Sequence, residues 1–308
     1  MRTKQGTEIT IGCDPEFFLY DIDLKQFVSA HEMIPGDKKN PFKVDNGAIQ
    51  VDGTAVEFNI DAASTAQEFE GNINSVLSYL RKTIPDKYEF KFSPAIHYNK
   101  KYFDALPKST KELGCDPDFN AYTSATNPRP PADKVGTMRT GSGHIHIGWT
   151  KDADIKDPSH VWDCEALVKH LDSWFFWYSH FWDDDTERQK LYGMKGSYRP
   201  KPYGVEYRVP SNAWLAHPQL YQWLFKSVVD VFELTERGYN LANLSLGPIA
   251  SLEINWDYAK ATNHESKFDR FIRSFYPILS GTAPKLPEIK GWTPAFTRRT
   301  IKVQRNMW

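Results

Sequence analysis

The chain has 308 residues, 40% hydrophobic and 25% charged, the balance expected of a soluble globular protein. Its net charge of -1 gives bulk electrostatics no reason to select duplex nucleic acid or an anionic membrane, although local basic clusters remain able to hold phosphates. No run of about 18 apolar residues is present, which excludes a membrane-spanning helix. Three widely spaced cysteines, Cys13, Cys115 and Cys164, exclude a disulfide framework, and MRTKQGTEIT lacks the apolar core of a signal peptide. The expected location is therefore the cytoplasm.

In chain order, residues 8–20 read as a strand, with Pro15 marking an edge or a bulge. Residues 26–30 fit a short partner. Residues 48–60 read as a strand that places Val56, Phe58 and Ile60 on one face and Glu57 and Asn59 on the other. A helix is predicted over 65–84: Thr65 and Glu68 form a capping box, Phe69, Ile73, Val76, Leu77, Leu80 and Ile84 draw one apolar stripe, and Pro85 ends it. Residues 87–98 read as another strand.

Residues 104–142 hold five prolines and read as a long irregular loop, a length that within a domain points to function or disorder. A strand over 143–150 follows, then a helix over 161–182 with Trp162, Leu167, Leu171, Trp174, Phe175 and Tyr178 inward. Residues 188–204 are basic and glycine-containing and lead into a strand over 204–210. Helices are predicted over 218–240, with Pro218 in the first turn, and over 265–278. An extended tail follows from 281. No composition shift marks a linker, so a single domain over 1–308 is expected, with its core at about 8–280. The element order gives an α+β fold with mainly antiparallel pairing. GCDPEF at 12–17 and GCDPDF at 114–119 repeat, but their flanks do not match, so the repeat reads as local coincidence.

Four stretches place polar ligand-type side chains at i and i+2, the spacing that shares one strand face. They are Asp14 and Glu16, Glu57 and Asn59, His144 and His146, and Glu206 and Arg208. Any one of these pairs alone reads as a solvated strand. Together they describe a sheet with helices behind it and a polar front suited to divalent metal and phosphate. Buried carboxylates at Asp14, Glu16, Glu57 and Glu206 would need cations beside them. In GSGHIHIG, glycines let backbone approach a ligand, and Arg139 just before them can clamp an anion. Arg188, Lys190, Lys195, Arg199, Lys201 and Arg208 read either as a solvated basic loop or as a triphosphate cradle. Asp183-Asp184-Asp185 reads as a solvated helix end. No GxSxG elbow, Walker loop or dinucleotide fingerprint is present.

These segments carry a resemblance. GCDPEFFLYD and VEYRVPSNAW are similar to the first and last catalytic strands of glutamine synthetases. GSGHIHIG is similar to their histidine strand and to that of γ-glutamylcysteine synthetases. QVDGTAVEFNIDAAS resembles the second glutamate strand of the latter group. The set, in this order over residues 8–215, most resembles the bacteriophage-type carboxylate–amine ligases (amidoligases) of that superfamily.

The resemblance implies a curved antiparallel sheet of the glutamine synthetase catalytic type facing ATP and Mg²⁺ or Mn²⁺. It implies an ATP-dependent ligase that makes an amide through an acyl phosphate, chemistry that rests on positioning and charge neutralisation. It also implies roles: Asp14, Glu16, Glu57, Glu206 and one histidine, preferentially His144, for metal, with His146 for phosphate. Arg208, Arg199, Lys195 and Lys201 would meet the nucleotide. Arg139 and Arg199 would steady the transferring group, and Asp52 would bind metal or polarise the amine. Cys115, Asp116, Asp118, Asn120 and Tyr122 would form the substrate wall. Partners would be small-molecule or peptide carboxylates and amines, in the cytoplasm of an infected host if the gene is a phage's. Oligomeric state stays open, since glutamine synthetases form rings and the γ-glutamylcysteine group does not. A guanidino-type phosphotransferase and a metal-dependent hydrolase are the alternative readings.

Overall fold

A computed structural model describes residues 8–111, 118–128, 135–179, 183, 187–238, 253–255 and 300–302. The helix expected over 265–278, Cys115, Asp116, Asp184 and Asp185 lie outside these residues, as does the tail from 281 apart from 300–302.

Pro15 does more than bend a strand. The expected strand over 8–20 is two strands, β1 (Thr10–Cys13) and β2 (Glu16–Asp21), which belong to different sheets. Proline donates no ladder hydrogen bond, so pairing stops there and the chain crosses over. The 48–60 segment is likewise a hairpin. After β3 (Gln26–Val28) and β4 (Phe42–Val44) come β5 (Gly47–Asp52) and β6 (Ala55–Ile60), paired from Gly47 opposite Ile60 to Asp52 opposite Ala55. The reversal falls at Gly53-Thr54, and Gly53 takes φ 57, a conformation that favours glycine.

Helix α1 (Ala66–Thr83) forms as its sequence dictates. The Glu68 N–H donates to Thr65 Oγ1 at 3.1 Å, and Glu68 Oε2 accepts the Ser64 N–H at 2.8 Å. Phe69, Ile73, Val76 and Leu80 are fully buried, each worth roughly 1.5–3 kcal/mol of apolar transfer. The 87–98 segment breaks at Ser93-Pro94 into β7 (Tyr88–Lys91) and β8 (Ala95–His97), again in different sheets.

The stretch expected to be irregular carries helices α2 (Lys100–Ala105) and α3 (Lys108–Lys111) and strands β9 (Phe119–Asn120), β10 (Ala125–Thr126) and β11 (Met138–Thr140). Then come β12 (Ile145–Gly148), α4 (Pro158–Ser179), β13 (Ser197–Lys201), β14 (Gly204–Tyr207) and α5 (Gln219–Glu236), with Pro218 at the N-cap. Residues 253–255 and 300–302 pair as a separate antiparallel ribbon.

The fold is α+β with antiparallel sheets, but the expected single sheet is split: besides β8 paired with β11, two larger sheets carry the strands. One runs β1-β12-β14-β13-β9-β10; the other runs β3-β2-β6-β5-β4, with β7 also on β2. They meet where the crossover lies along the histidine segment: the Glu16 N–H donates to Ser142 O at 2.8 Å, and Ile11 bridges Ala63. Helices α1, α4 and α5 share one continuous core with the inner sheet faces, through Phe17, Phe58, Ile145, Ile147, Val205 and Tyr207. Trp162 is a correction. It is 66% exposed, because it falls out of step with the buried stripe of His160, Cys164, Leu167, Leu171 and Trp174. Asp183 is another: it accepts a 2.5 Å hydrogen bond from Ser211 Oγ and is no mere solvated end.

Candidate functional site

Because Phe17, Val56, Phe58, Val205 and Tyr207 face the core, alternation turns Glu16, Glu57 and Glu206 to the other side. Register then decides who meets whom. Glu16 is opposite Glu57 in the β2–β6 pairing, and His146 is opposite Glu206 in the β12–β14 pairing. The Asp14-Pro15 crossover brings Asp14 between the two sets.

Two clusters result. In the first, ligand atoms of Asp14, His146 and Glu206 all lie within 4.8 Å of one another. Asp14 Oδ1 is 3.0 Å from His146 Nε2 and 3.2 Å from His144 Nδ1. Asp14 Oδ1 and His146 Nε2 are both buried and point at one another. Such atoms are costly without a partner, and a cation between them would satisfy both. In the second cluster, ligand atoms of Glu16, Asp52 and Glu57 lie within the same 4.8 Å. The Ser142 N–H donates to Glu16 at 3.1 Å, Gln50 Nε2 donates to Glu57 at 2.7 Å, and Lys38 Nζ pairs with Asp52 at 2.8 Å.

Electrostatics separates the clusters. Burial, with the nearby Asp52 charge, pushes Glu16 up to about 7, and burial with Asp14, Asp52 and Glu16 raises Glu57 well above the carboxylate range. This is a surplus of negative charge of the kind divalent cations neutralise. Glu206 behaves oppositely. Burial and Asp14 work against its ionised form, yet Arg208, His144 and His146 hold it at about 2.

Around Glu206 sit the cations. Arg208 Nη1 donates to Glu206 Oε1, and Arg208 Nε donates to Asp118 Oδ1 at 2.6 Å. Lys201 Nζ is 2.7 Å from Glu206 Oε2, and Arg199 Nη2 is 3.6 Å from Asp118 Oδ1.

Both histidines lie against Asp14, with His144 Nδ1 also 3.7 Å from Glu206 Oε1. His146, with Asp14 and Glu206 favouring its charged form against burial, joins the ligand cluster. His144 Nδ1 lies 3.3 Å from Arg208 Nη1, and burial together with that guanidinium favours neutral imidazole. The i, i+2 spacing put both on one side but could not say which ring meets the arginine.

Three expected cations are engaged in packing contacts of their own. Lys195 sits over the Tyr122 ring at 4.6 Å, and its charge is felt by Asp172, which accepts from Tyr207 and Gly196; that is the helix-facing side, away from Glu206. Arg188 is fully buried and donates to the carbonyl oxygens of Arg208, Val209 and Pro210, so it pins the chain that carries Arg208 and is no phosphate cradle. Arg139 packs on the Phe103 ring and donates to the carbonyls of Lys111, Gly136 and Met138. Gly141 and Gly143 are approached by Asn212, Ser211 and Trp214 of the chain itself; a Cβ at Gly143 would stand 2.2 Å from Ser211 O.

The carboxylates line two clefts. One is lined by Glu16, Asp52, Asp118, His144 and Arg208, with Arg139 at its side. The other, of about 370 Å³, is lined by Asp14, Gln50, Glu57, Asn59, His146 and Tyr203. Gln50, Lys38 and Tyr203 escaped the sequence reading. Gln50 was recoverable from the Gly53-Thr54 turn, which fixes it opposite Glu57.

No protein-family model matches the sequence, and no curated protein matches it. Among solved structures the chain is similar to a bifunctional glutathione synthetase from Pasteurella multocida, 9% identical, with a TM-score of 0.39. The superposition covers 91% of this chain and 45% of that one, so the chain spans under half the length of that protein. Among the described residues no helix is long and apolar enough to cross a membrane.

Proposed function

We propose that this chain is an ATP- and Mg²⁺- or Mn²⁺-dependent carboxylate–amine ligase with a glutamine synthetase-type catalytic sheet, resembling the bacteriophage-type amidoligases. The observation that carries the reading is the gathering of two metal-type triads, Asp14/His146/Glu206 and Glu16/Asp52/Glu57, whose members line two clefts.

In this reading each triad would hold one divalent ion, which would neutralise phosphate charge. Arg208, Arg199 and Lys201 hold the transferring phosphoryl group from one side, and neutral His144 supports Arg208. A substrate carboxylate oxygen attacks the γ-phosphorus and ADP leaves. The amine nitrogen then attacks the acyl carbon, phosphate leaves, and a carboxylate of the second triad, Asp52 foremost, takes the amine proton.

The test is Mg²⁺-dependent release of ADP and phosphate with pooled amino acids and small peptides, using hydroxylamine as a surrogate amine. Hydroxamate formed in step with phosphate supports the ligase. A stable phosphorylated product without hydroxamate would favour a phosphotransferase, and turnover without ATP a metal-dependent hydrolase.

A further inference from the structure

Tyr203 lies in the tight turn between β13 and β14, and as a 38% exposed aromatic it could pass for an ordinary surface residue. Its surroundings argue otherwise. Its carbonyl oxygen accepts from the N–H groups of Trp149 at 2.9 Å and Thr150 at 3.1 Å, and the Pro202 carbonyl accepts from Ala153 at 2.9 Å. Gly204, next in line, takes φ 152, and a Cβ there would stand 2.1 Å from Ile147 O. The turn is thus locked against the strand that carries His146. From it the Tyr203 hydroxyl reaches back to hydrogen-bond His146 Nδ1. The other ring nitrogen, Nε2, then faces Asp14 within the Asp14/His146/Glu206 cluster.

An imidazole has two nitrogens, and one bound to a cation through its lone pair must carry its proton on the other. A partner at the far nitrogen fixes both the tautomer and the ring plane. We infer that Tyr203 is a positioning residue for cation binding at the first cluster, acting through the Tyr203 hydroxyl–His146 Nδ1 hydrogen bond that aims Nε2 at Asp14 and Glu206. This rests on the metal reading proposed above. When Nε2 holds a cation, Nδ1–H donates to the tyrosine oxygen. Phenylalanine would keep the ring and the turn but leave Nδ1 without that acceptor.

The experiment is Mn²⁺ titration of the full chain, followed by electron paramagnetic resonance of free Mn²⁺, for wild type, Tyr203→Phe, His146→Gln and the double variant, with circular dichroism to confirm folding. Two classes of site are expected in wild type. Tyr203→Phe should weaken one class about 10- to 100-fold and leave the class built on Glu16, Asp52 and Glu57 unchanged. In the His146→Gln background the same change should add less than about twofold, because the tyrosine acts only through the imidazole. Unaltered binding in Tyr203→Phe, or an equal loss with and without His146, would overturn the inference while leaving the metal reading standing. Absence of Mn²⁺ binding in wild type would instead overturn the metal reading itself, and the inference with it.

Discussion

Glu16 and Glu57 stand directly opposite one another in the β2–β6 pairing, two acids on one face with Asp52 beside them. Like charges so placed oppose each other's ionisation. Burial and Asp52 bring Glu16 up to about 7 from the ordinary 4.5. A carboxyl whose folded value lies above its unfolded one contributes stability below the unfolded value, and that contribution is lost as pH rises through the folded one. Metal-free protein should therefore lose stability between about pH 4.5 and pH 7, by at most about 3 kcal/mol relative to Glu16→Gln. Urea midpoints of both proteins at pH 5 and pH 8 check this. Saturating Mg²⁺ should abolish the difference if the cluster binds the ion, and its persistence would count against a metal there.

Arg208 links two buried acids, Glu206 and Asp118, from the end of β14. Replacing it with Met removes the hydrogen-bonded cation from both charges and leaves Glu206 to Lys201 and Asp118 to the more distant Arg199. The expected cost is about 3–5 kcal/mol, alongside loss of any ATP turnover. Adding Asp118→Asn should recover part of the stability and none of the turnover. Chemical denaturation and ADP release separate the two effects.

How much of this was legible beforehand follows from what periodicity can and cannot see. The inward–outward alternation of Glu57 against Val56 and Phe58 was plain, and so were the capping box at Thr65 and the shared face of Glu206 and Arg208. Alternation, however, continues unbroken through a two-residue turn, so 48–60 read as one strand although it doubles back at Gly53 and sets Gln50 against Glu57. Pro15 and Pro94 signalled breaks, but a break does not say that the chain changes sheet, and it is that change which brings Asp14 to His146. Arg188 and Lys195 misled for a related reason. A basic residue in a glycine-containing loop looks solvated until tertiary packing supplies the carbonyls or the carboxylate that bury it.

The cap of α1 gives a prediction on the structural side alone. Thr65 Oγ1 accepts the Glu68 N–H, and the helix packs behind β5 and β6 without touching the acid clusters through its cap. Thr65→Ala should cost about 1 kcal/mol by urea denaturation. Mn²⁺ affinity should stay at the wild-type value, and a change in it would mean that the sheet shifts when the helix frays.

Lys195 and Lys201 lie six residues apart in one basic stretch, yet they face opposite sides of the sheet. Lys201 Nζ meets Glu206 at 2.7 Å, beside Arg199 and Arg208. Lys195 is drawn down to about 8 by burial, opposed by Asp172, on the side where α4 packs. In the proposed ligase, Lys201→Met removes a cation from the phosphoryl-holding side and should lower turnover about 100-fold with little change in stability, since the lysine is partly exposed. Lys195→Met removes the charge that favours ionised Asp172 and should act on stability, by about 1–3 kcal/mol at neutral pH, with turnover close to wild type. Asp172 sits at about 6 with Lys195 present. Without the ammonium its folded value should rise further, so the Lys195→Met penalty should shrink as pH falls below 6, where the carboxyl is protonated in either protein. Denaturation midpoints of the two variants at pH 5 and pH 8, set against their ADP release, would expose the opposite assignment: a Lys195→Met protein that is stable but inactive would put Lys195, not Lys201, at the nucleotide.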